Sequence, residues 1–194
     1  DNLEKLTTRT VIGAPANQTS FFMDEIEQVD FNPYWGVPQS IIVNEMLPRL
    51  RSDPGYLDRS GYEVFDAKGK RISSSSVAWG AYGGKAVPFA VRQAPSEANA
   101  LGELKILFPN KHAIYMHDTP SKSLFQQAVR TFSHGCMRVQ NPVRMAEVIL
   151  SEDKGWPAEK VKAMAAQGAQ LNQQVTLSRK MPVHIAYFTV WVGD

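Results

Sequence analysis

Residues 133–138 read Ser133-His134-Gly135-Cys136-Met137-Arg138, and they hold the single cysteine of a 194-residue chain. A lone Cys closes no intramolecular disulfide. Cys136 is therefore either a small buried hydrophobe or a reactive group. A thiol attacks as the thiolate, and a free Cys titrates near about pH 8.5, so a nucleophilic role needs an imidazole or a positive local field. Gly135 allows close backbone approach and lets successive N–H groups point one way, as an oxyanion requires. Arg138 alternates in facing with Met137 and so shares a side with Cys136. There it would lower the thiol pKa or hold a substrate carboxylate.

Two histidines are candidate bases. His134 lies two residues from Cys136, on the same side of an extended chain. His117 reaches Cys136 only through the fold, but it ends the apolar run Ala113-Ile114-Tyr115-Met116, where a strand delivers a side chain into a cleft. Asp118-Thr119-Pro120 then turns the chain. Either the carbonyl or the carboxylate of Asp118 would hold the His117 ring in the useful tautomer. His112 and His184 read as ordinary surface or core residues. The sequence contains no CxxC, HxxxH or HExxH, which disfavours a zinc site built on Cys136, His134 and His117. No cofactor is implied. Cys136-Met137-Arg138 is too short for a phosphatase loop.

Away from this segment, Thr10 to Gly13, Ile26 to Phe31, Phe89 to Gln93, Leu104 to Phe108 and Ala113 to His117 read as strands. Tyr62 to Phe65 and Lys70 to Ile72 read as a hairpin. Gln39 to Leu50 reads as a helix that Pro48 must kink or split. Ser121 to Gln127 reads as a short helix. Asn141-Pro142 reads as a capped helix start, and Pro157 opens a second helix that Gly168 stops. Gln174 to Leu177 and Val183 to Val192 read as the last strands. The final one is apolar on both faces, which predicts a central position. Ser73 to Gly84 is rich in small residues and should be the least rigid part of the chain.

Lys and Arg number 21 against 19 Asp and Glu, so the net charge of +2 leaves no footprint for nucleic acid. No apolar run reaches the roughly 18 residues of a membrane span. A hydrophobic fraction of 43% suits one domain with an elaboration. The chain opens on Asp1-Asn2-Leu3 with no Met and no signal segment, and it closes on Val192-Gly193-Asp194, a turn opening after a strand. Both ends are expected to continue in a longer protein.

His117, fifteen residues, then Ser133-His134-Gly135-Cys136 resembles the motif of the L,D-transpeptidase catalytic domains, the YkuD family. Asn32-Pro33-Tyr34-Trp35, Asp53-Pro54-Gly55-Tyr56-Leu57, Asn99-Ala100-Leu101-Gly102, Phe108-Pro109-Asn110, Tyr115 to Pro120 and Leu124-Phe125 look like its larger proteobacterial branch, which carries an inserted capping subdomain. The resemblance implies one catalytic domain over 1–194, mainly β with helices (α+β). It implies a β-sandwich core and a lid insertion at about 48–88. It implies a periplasmic enzyme acting on peptidoglycan tetrapeptide stems. The Cys attacks the carbonyl of the third residue, meso-diaminopimelate, D-Ala leaves, and an acceptor amine resolves the thioester into a 3–3 crosslink. By position Cys136 is the nucleophile and His117 the base, oriented by Asp118 through its carbonyl. The amides of Gly135 and Cys136 with the Tyr115 hydroxyl form the oxyanion hole. Ser133, His134 and Arg138 are expected at the substrate. Carbapenem-type β-lactams acylate this Cys in the family. Arg138 departs from the Asn often found at that position.

Three other outcomes compete: an L,D-carboxypeptidase in which water takes the acyl group, an enzyme that joins the stem to an outer-membrane protein, and an inactive wall-binding domain. The intact His117, Ser133, His134, Gly135 and Cys136 argue against the last.

Overall fold

The computed structural model describes residues 4–188. Its strands are β1 (Thr10–Gly13), β2 (Phe22–Phe31), β3 (Trp35–Gly36), β4 (Tyr62–Phe65), β5 (Arg71–Ile72), β6 (Ala90–Gln93), β7 (Leu104–Leu107), β8 (Met116–His117), β9 (Thr131–Ser133), β10 (Met137–Val139) and β11 (Gln173–Ile185). Its helices are α1 (Gln39–Ile41), α2 (Leu47–Ser52), α3 (Tyr56–Arg59), α4 (Pro142–Lys154) and α5 (Ala158–Ala165). The fold is α+β, with extensive sheet and few helices, consistent with the expected sandwich core. The chain divides into two compact units, one built from the residues up to Pro33 and from Ser96 onward, the other from Tyr34–Pro95. Among the described residues no helix is long and apolar enough to cross a membrane.

In the first unit the sheet order is β11-β2-β7-β8-β10-β1-β9. The core joins Val29 and Phe31 of β2, Leu104 and Ile106 of β7 and Met137 of β10 to Ala146, Ile149 and Leu150 of α4 and Val161 of α5. Each fully buried aliphatic or aromatic side chain here contributes about 1.5–3 kcal/mol of transfer free energy. Strand side chains alternate, so the residues between these core positions point to the other face. Asp30, Lys105, His117 and Arg138 occupy one continuous row across that face, through the pairings Asp30↔Lys105, Lys105↔His117 and His117↔Arg138. One face of the sheet is thus spent on the hydrophobic core, and the other carries polar and ionisable groups.

Several local expectations change in this unit. The strand expected over Ala113 to His117 is only Met116–His117, the last two strands are one strand, β11, and the short helix expected over Ser121 to Gln127 is a 3-10 turn over Lys122–Gln126. β11 lies at an end of the sheet order rather than at its centre. Gln174, Thr176, Pro182 and His184 of this strand are exposed, so only one face is buried. The residues that made both faces look apolar, from Ala186 on, follow the strand, and 189–192 lie outside the described residues. Asn141 stands at the start of α4 but makes no side-chain capping bond.

The second unit has a sheet of order β3-β6-β4-β5 and its own core, with Ile42, Leu47, Leu50, Leu57, Val64 and Trp79 buried. The helix expected over Gln39 to Leu50 is α1, a wider π turn over Ile42–Met46, and α2. Pro48 has no N–H to give to the preceding turn, and a widened turn accommodates the missing bond. The serine run is anchored rather than loose. Ser74 and Trp79 are 0% and 1% exposed. The Asp58 carboxylate accepts the Ser73 hydroxyl and the Ser74 amide at 2.7 and 2.9 Å. The Trp79 indole donates to the Ser74 carbonyl at 2.9 Å. The insertion expected over about 48–88 falls within this unit.

Candidate active site

Cys136 follows β9 and leads into β10, which runs parallel to β8. The Met137 amide donates to the Tyr115 carbonyl at 3.0 Å, and Arg138 stands beside His117 in the register. Cys136 therefore lies beside Tyr115, on the diagonal from His117 and on the polar face of the sheet. This placement puts a thiol and an imidazole from distant parts of the chain on neighbouring strands roughly 5 Å apart.

His117 is 7% exposed. Its Nδ1 meets the Asp118 carbonyl oxygen at 2.5 Å. A carbonyl only accepts, so Nδ1 carries the proton and Nε2 presents a lone pair. Burial pulls the ring's pKa down to about 4, aided by the positive charges of Arg138 and Lys105 and opposed by the bond to the Asp118 carbonyl. His117 at rest is a neutral imidazole.

The Asp118 carboxylate points elsewhere. It pairs with Lys122 and accepts the Glu103 amide at 3.1 Å. The Asp118 amide donates to the Leu104 carbonyl at 2.9 Å. Gly102 makes room for this arrangement: a Cβ there would fall 2.2 Å from Asp118 Oδ2, and its φ of +57° is one L residues avoid. Three bonds from the Asp118 residue itself thus fix the carbonyl that orients His117.

The thiol is half-buried, and burial pushes its pKa up. Two donors of Tyr115, its amide and its hydroxyl, and the charge of Lys105 favour the thiolate instead. When protonated, the sulfur is a weak donor to the Ala113 carbonyl, at 3.7 Å. Ala113 is held at φ +54°. Its loop is tied by the Asn110 side chain, which donates to the Phe108 and Ile114 carbonyls and accepts the His112 and Ile114 amides. Asn110 sets the backbone that meets the sulfur.

Ser133 and Thr19 shape the turn that carries Cys136. The Ser133 hydroxyl accepts the Gly135 amide at 3.1 Å and donates to the Cys136 carbonyl. Thr19 is buried, accepts the Gly13 amide at 2.9 Å and donates to the Gly135 carbonyl at 2.7 Å. Gly135 has φ +115°, which glycine alone adopts without strain. Both polar groups of its backbone are engaged. Its amide, expected in an oxyanion hole, is committed to Ser133, and Gly135 serves the site through its backbone conformation.

Of the expected site residues, Cys136, His117, Asp118, Tyr115, Ser133, Gly135 and Arg138 gather here. Arg138 is half-buried, and its charge falls on His117. His134 is exposed, on the turn next to Cys136. Among the described residues no three His, Cys, Asp or Glu side chains gather as a metal site. Sequence reasoning missed Thr19, Asn110 and Lys105. Thr19 and Asn110 act by hydrogen bonds to backbone far along the chain or within a loop, and no spacing signals that. Lys105 alternates with Leu104 and Ile106 on a strand, and that alternation did signal a polar face.

The family model of the L,D-transpeptidase catalytic domain, YkuD, matches residues 1–185. A curated relative from Haemophilus influenzae is 30% identical over 189 residues, 97% of this chain. Its name, L,D-transpeptidase, is itself provisional. The chain spans 38% of the length of that relative.

Proposed function

The chain belongs to the YkuD family of L,D-transpeptidase catalytic domains, and from that membership we propose that it is a cysteine acyltransferase that crosslinks peptidoglycan. The observation that carries the reading is the pairing of β8 with β10, which sets the His117 ring, with its Nε2 lone pair, diagonally across from the Cys136 thiol.

In this mechanism the donor is a tetrapeptide stem, cleaved after its third residue, meso-diaminopimelate. Both groups of the pair are neutral at rest. As Sγ attacks the carbonyl carbon, its proton passes to His117 Nε2, and the S–C bond forms. The carbonyl oxygen takes the negative charge and is met by the Cys136 amide and the Tyr115 hydroxyl. Collapse breaks the C–N bond, and the imidazolium returns its proton to the departing D-Ala amine. An amine of a second stem then attacks the thioester, His117 takes its proton, and the thiol is regenerated with a 3–3 crosslink. Arg138 offers its guanidinium to a carboxylate of the donor, and His134 contacts substrate at the rim. The lid insertion of this reading, at about 48–88, lies within the unit Tyr34–Pro95. Such an enzyme works in the periplasm, and carbapenem-type β-lactams would acylate Cys136.

The test is mass spectrometry of disaccharide-tetrapeptide incubated with this chain, beside Cys136→Ala. A Cys136-dependent dimer that has lost one D-Ala supports the proposal. Tripeptide without dimer reassigns the chain as a carboxypeptidase or as an enzyme whose acceptor is a protein amine. An inactive wall-binding domain yields no Cys136-dependent product.

A further inference from the structure

Lys105 lies in the middle of β7, between two core residues, and its side chain emerges on the polar face of the sheet. It occupies the register position directly across from His117 on one side and from Asp30 on the other. Its natural acidic partner is Asp30, yet the Asp30 carboxyl takes its hydrogen bond from Gln28 at 2.6 Å. The Lys105 ammonium instead sits over the Tyr115 ring, 4.4 Å from its centroid. Tyr115 is the residue whose amide and hydroxyl both meet the Cys136 sulfur. The ring of Tyr115 lies 5.7 Å from that of His117. One cation thus contacts the group that serves the nucleophile and stands across the strand pair from the base.

We propose that Lys105 is a positioning residue for the nucleophile: its ammonium holds the Tyr115 ring against the sheet, with the phenol aimed at Cys136, and supplies the positive field in which the thiolate forms. The inference rests on the reading of Cys136 as nucleophile. A cation on a ring face is worth about 0.5–2 kcal/mol, more as water is excluded. It also draws electron density from the ring and makes the phenolic O–H a stronger donor. Both effects favour the anion that exists while the proton is on His117.

The charged and titratable groups around the thiol divide the work. From β7 comes Lys105, from β8 Tyr115 and His117, from β10 Arg138, from the turn His134, and from β2 Asp30 behind Lys105. The charge of Lys105 favours the thiolate and also bears on His117, where it acts together with Arg138 to disfavour the imidazolium. Burial raises the Asp30 carboxyl above its ordinary range, opposed by the hydrogen bond from Gln28 and by the charge of Lys105. Arg138, expected either to lower the thiol pKa or to hold a substrate carboxylate, stands on a different strand from Lys105.

The experiment is the pH profile of Cys136 alkylation by iodoacetamide in the whole chain, followed by intact mass. Wild type is compared with Lys105→Met, Lys105→Gln, Lys105→Arg and Tyr115→Phe, each checked by thermal melting. Both neutral variants should move the alkylation midpoint to higher pH and slow the reaction several-fold at pH 8. Lys105→Arg should restore most of the wild-type profile. Tyr115→Phe should shift the profile the same way, and adding Lys105→Met to it should cost less than in wild type. A neutral variant that melts with wild type and keeps the wild-type profile overturns the proposal. So does a Lys105→Arg profile matching that of Lys105→Met in folded protein. No wall substrate enters this assay, so failure to crosslink stems would refute the function proposed above and leave the alkylation result standing.

Discussion

The carbonyl oxygen of Asp118, and not its carboxylate, holds the ring of His117, at 2.5 Å from Nδ1. The carboxylate is occupied by Lys122 and by the Glu103 amide. Asp118→Asn should therefore keep the imidazole in place. The amide oxygen still accepts from Glu103, and only the pair with the exposed Lys122 is lost. Acyl-transfer rates are expected within about tenfold of wild type, equivalent to about 1.4 kcal/mol of barrier. Steady-state crosslinking or β-lactam acylation rates check this. A loss of about a thousandfold or more would mean that the carboxylate stabilises the imidazolium directly.

His117 makes stability depend on pH. In the unfolded chain the ring titrates near its ordinary 6.5, and in the fold near about 4. As pH falls through this window the unfolded state takes up the proton first, so stability declines from about pH 6.5 to 4 and is flat above it. The full effect is about 3 kcal/mol. His117→Gln removes that contribution. Denaturant midpoints of wild type and variant should differ most in slope between pH 6.5 and 4, and parallel curves there would contradict the buried, neutral ring.

Gly102→Ala places a methyl group 2.2 Å from Asp118 Oδ2, at a backbone angle that already disfavours alanine. The contacted atom is a buried carboxylate held by two partners, so it yields only by moving Asp118. Stability should fall by about 1–3 kcal/mol. The catalytic rate should fall further than the stability explains, because the same residue carries the carbonyl that orients His117. Urea denaturation and kcat, measured on one preparation, separate the two effects.

Thr19→Val deletes a hydroxyl that serves both the Gly13 amide and the Gly135 carbonyl. Two buried polar groups lose their partner, at a cost of about 1–3 kcal/mol each at most. Thr19→Ser retains the hydroxyl and should recover most of the stability and the rate. Equal damage from both variants would place the importance of Thr19 in its methyl group.

The strand bodies were legible from alternation alone. Leu104 to Phe108, Ile26 to Phe31 and the Tyr62 hairpin all sit where their pattern put them, because burial of one face imposes a period of two. That Cys136 and His117 come together on neighbouring strands was legible from the motif that joins His117 to Ser133-His134-Gly135-Cys136. What the sequence hid was the scaffold of hydrogen bonds to backbone. The Ser73 run looked loose because small polar residues usually are, yet Asp58 and Trp79 pin it. The last strand looked central because its apolar run was counted past Ile185, where the strand ends. The Gly135 amide looked available because a sequence does not show that Ser133 turns back to receive it. In each case a side chain satisfies a main-chain group several residues away, a choice made by three-dimensional geometry and not by residue type.

The pairing of β8 with β10 also makes catalytic alignment a matter of whole steps. Side chains switch faces with every residue, so a slip of one position between these strands would turn Cys136 to the helix side of the sheet. Nothing between these settings is open to the chain. A lost register removes Cys136 from the face of His117 altogether, whereas the substitutions considered above weaken a site whose register is intact. Because Cys136 is the chain's single thiol, the rate of its alkylation, rather than the amount labelled, reports the state of that sheet before any substrate is known.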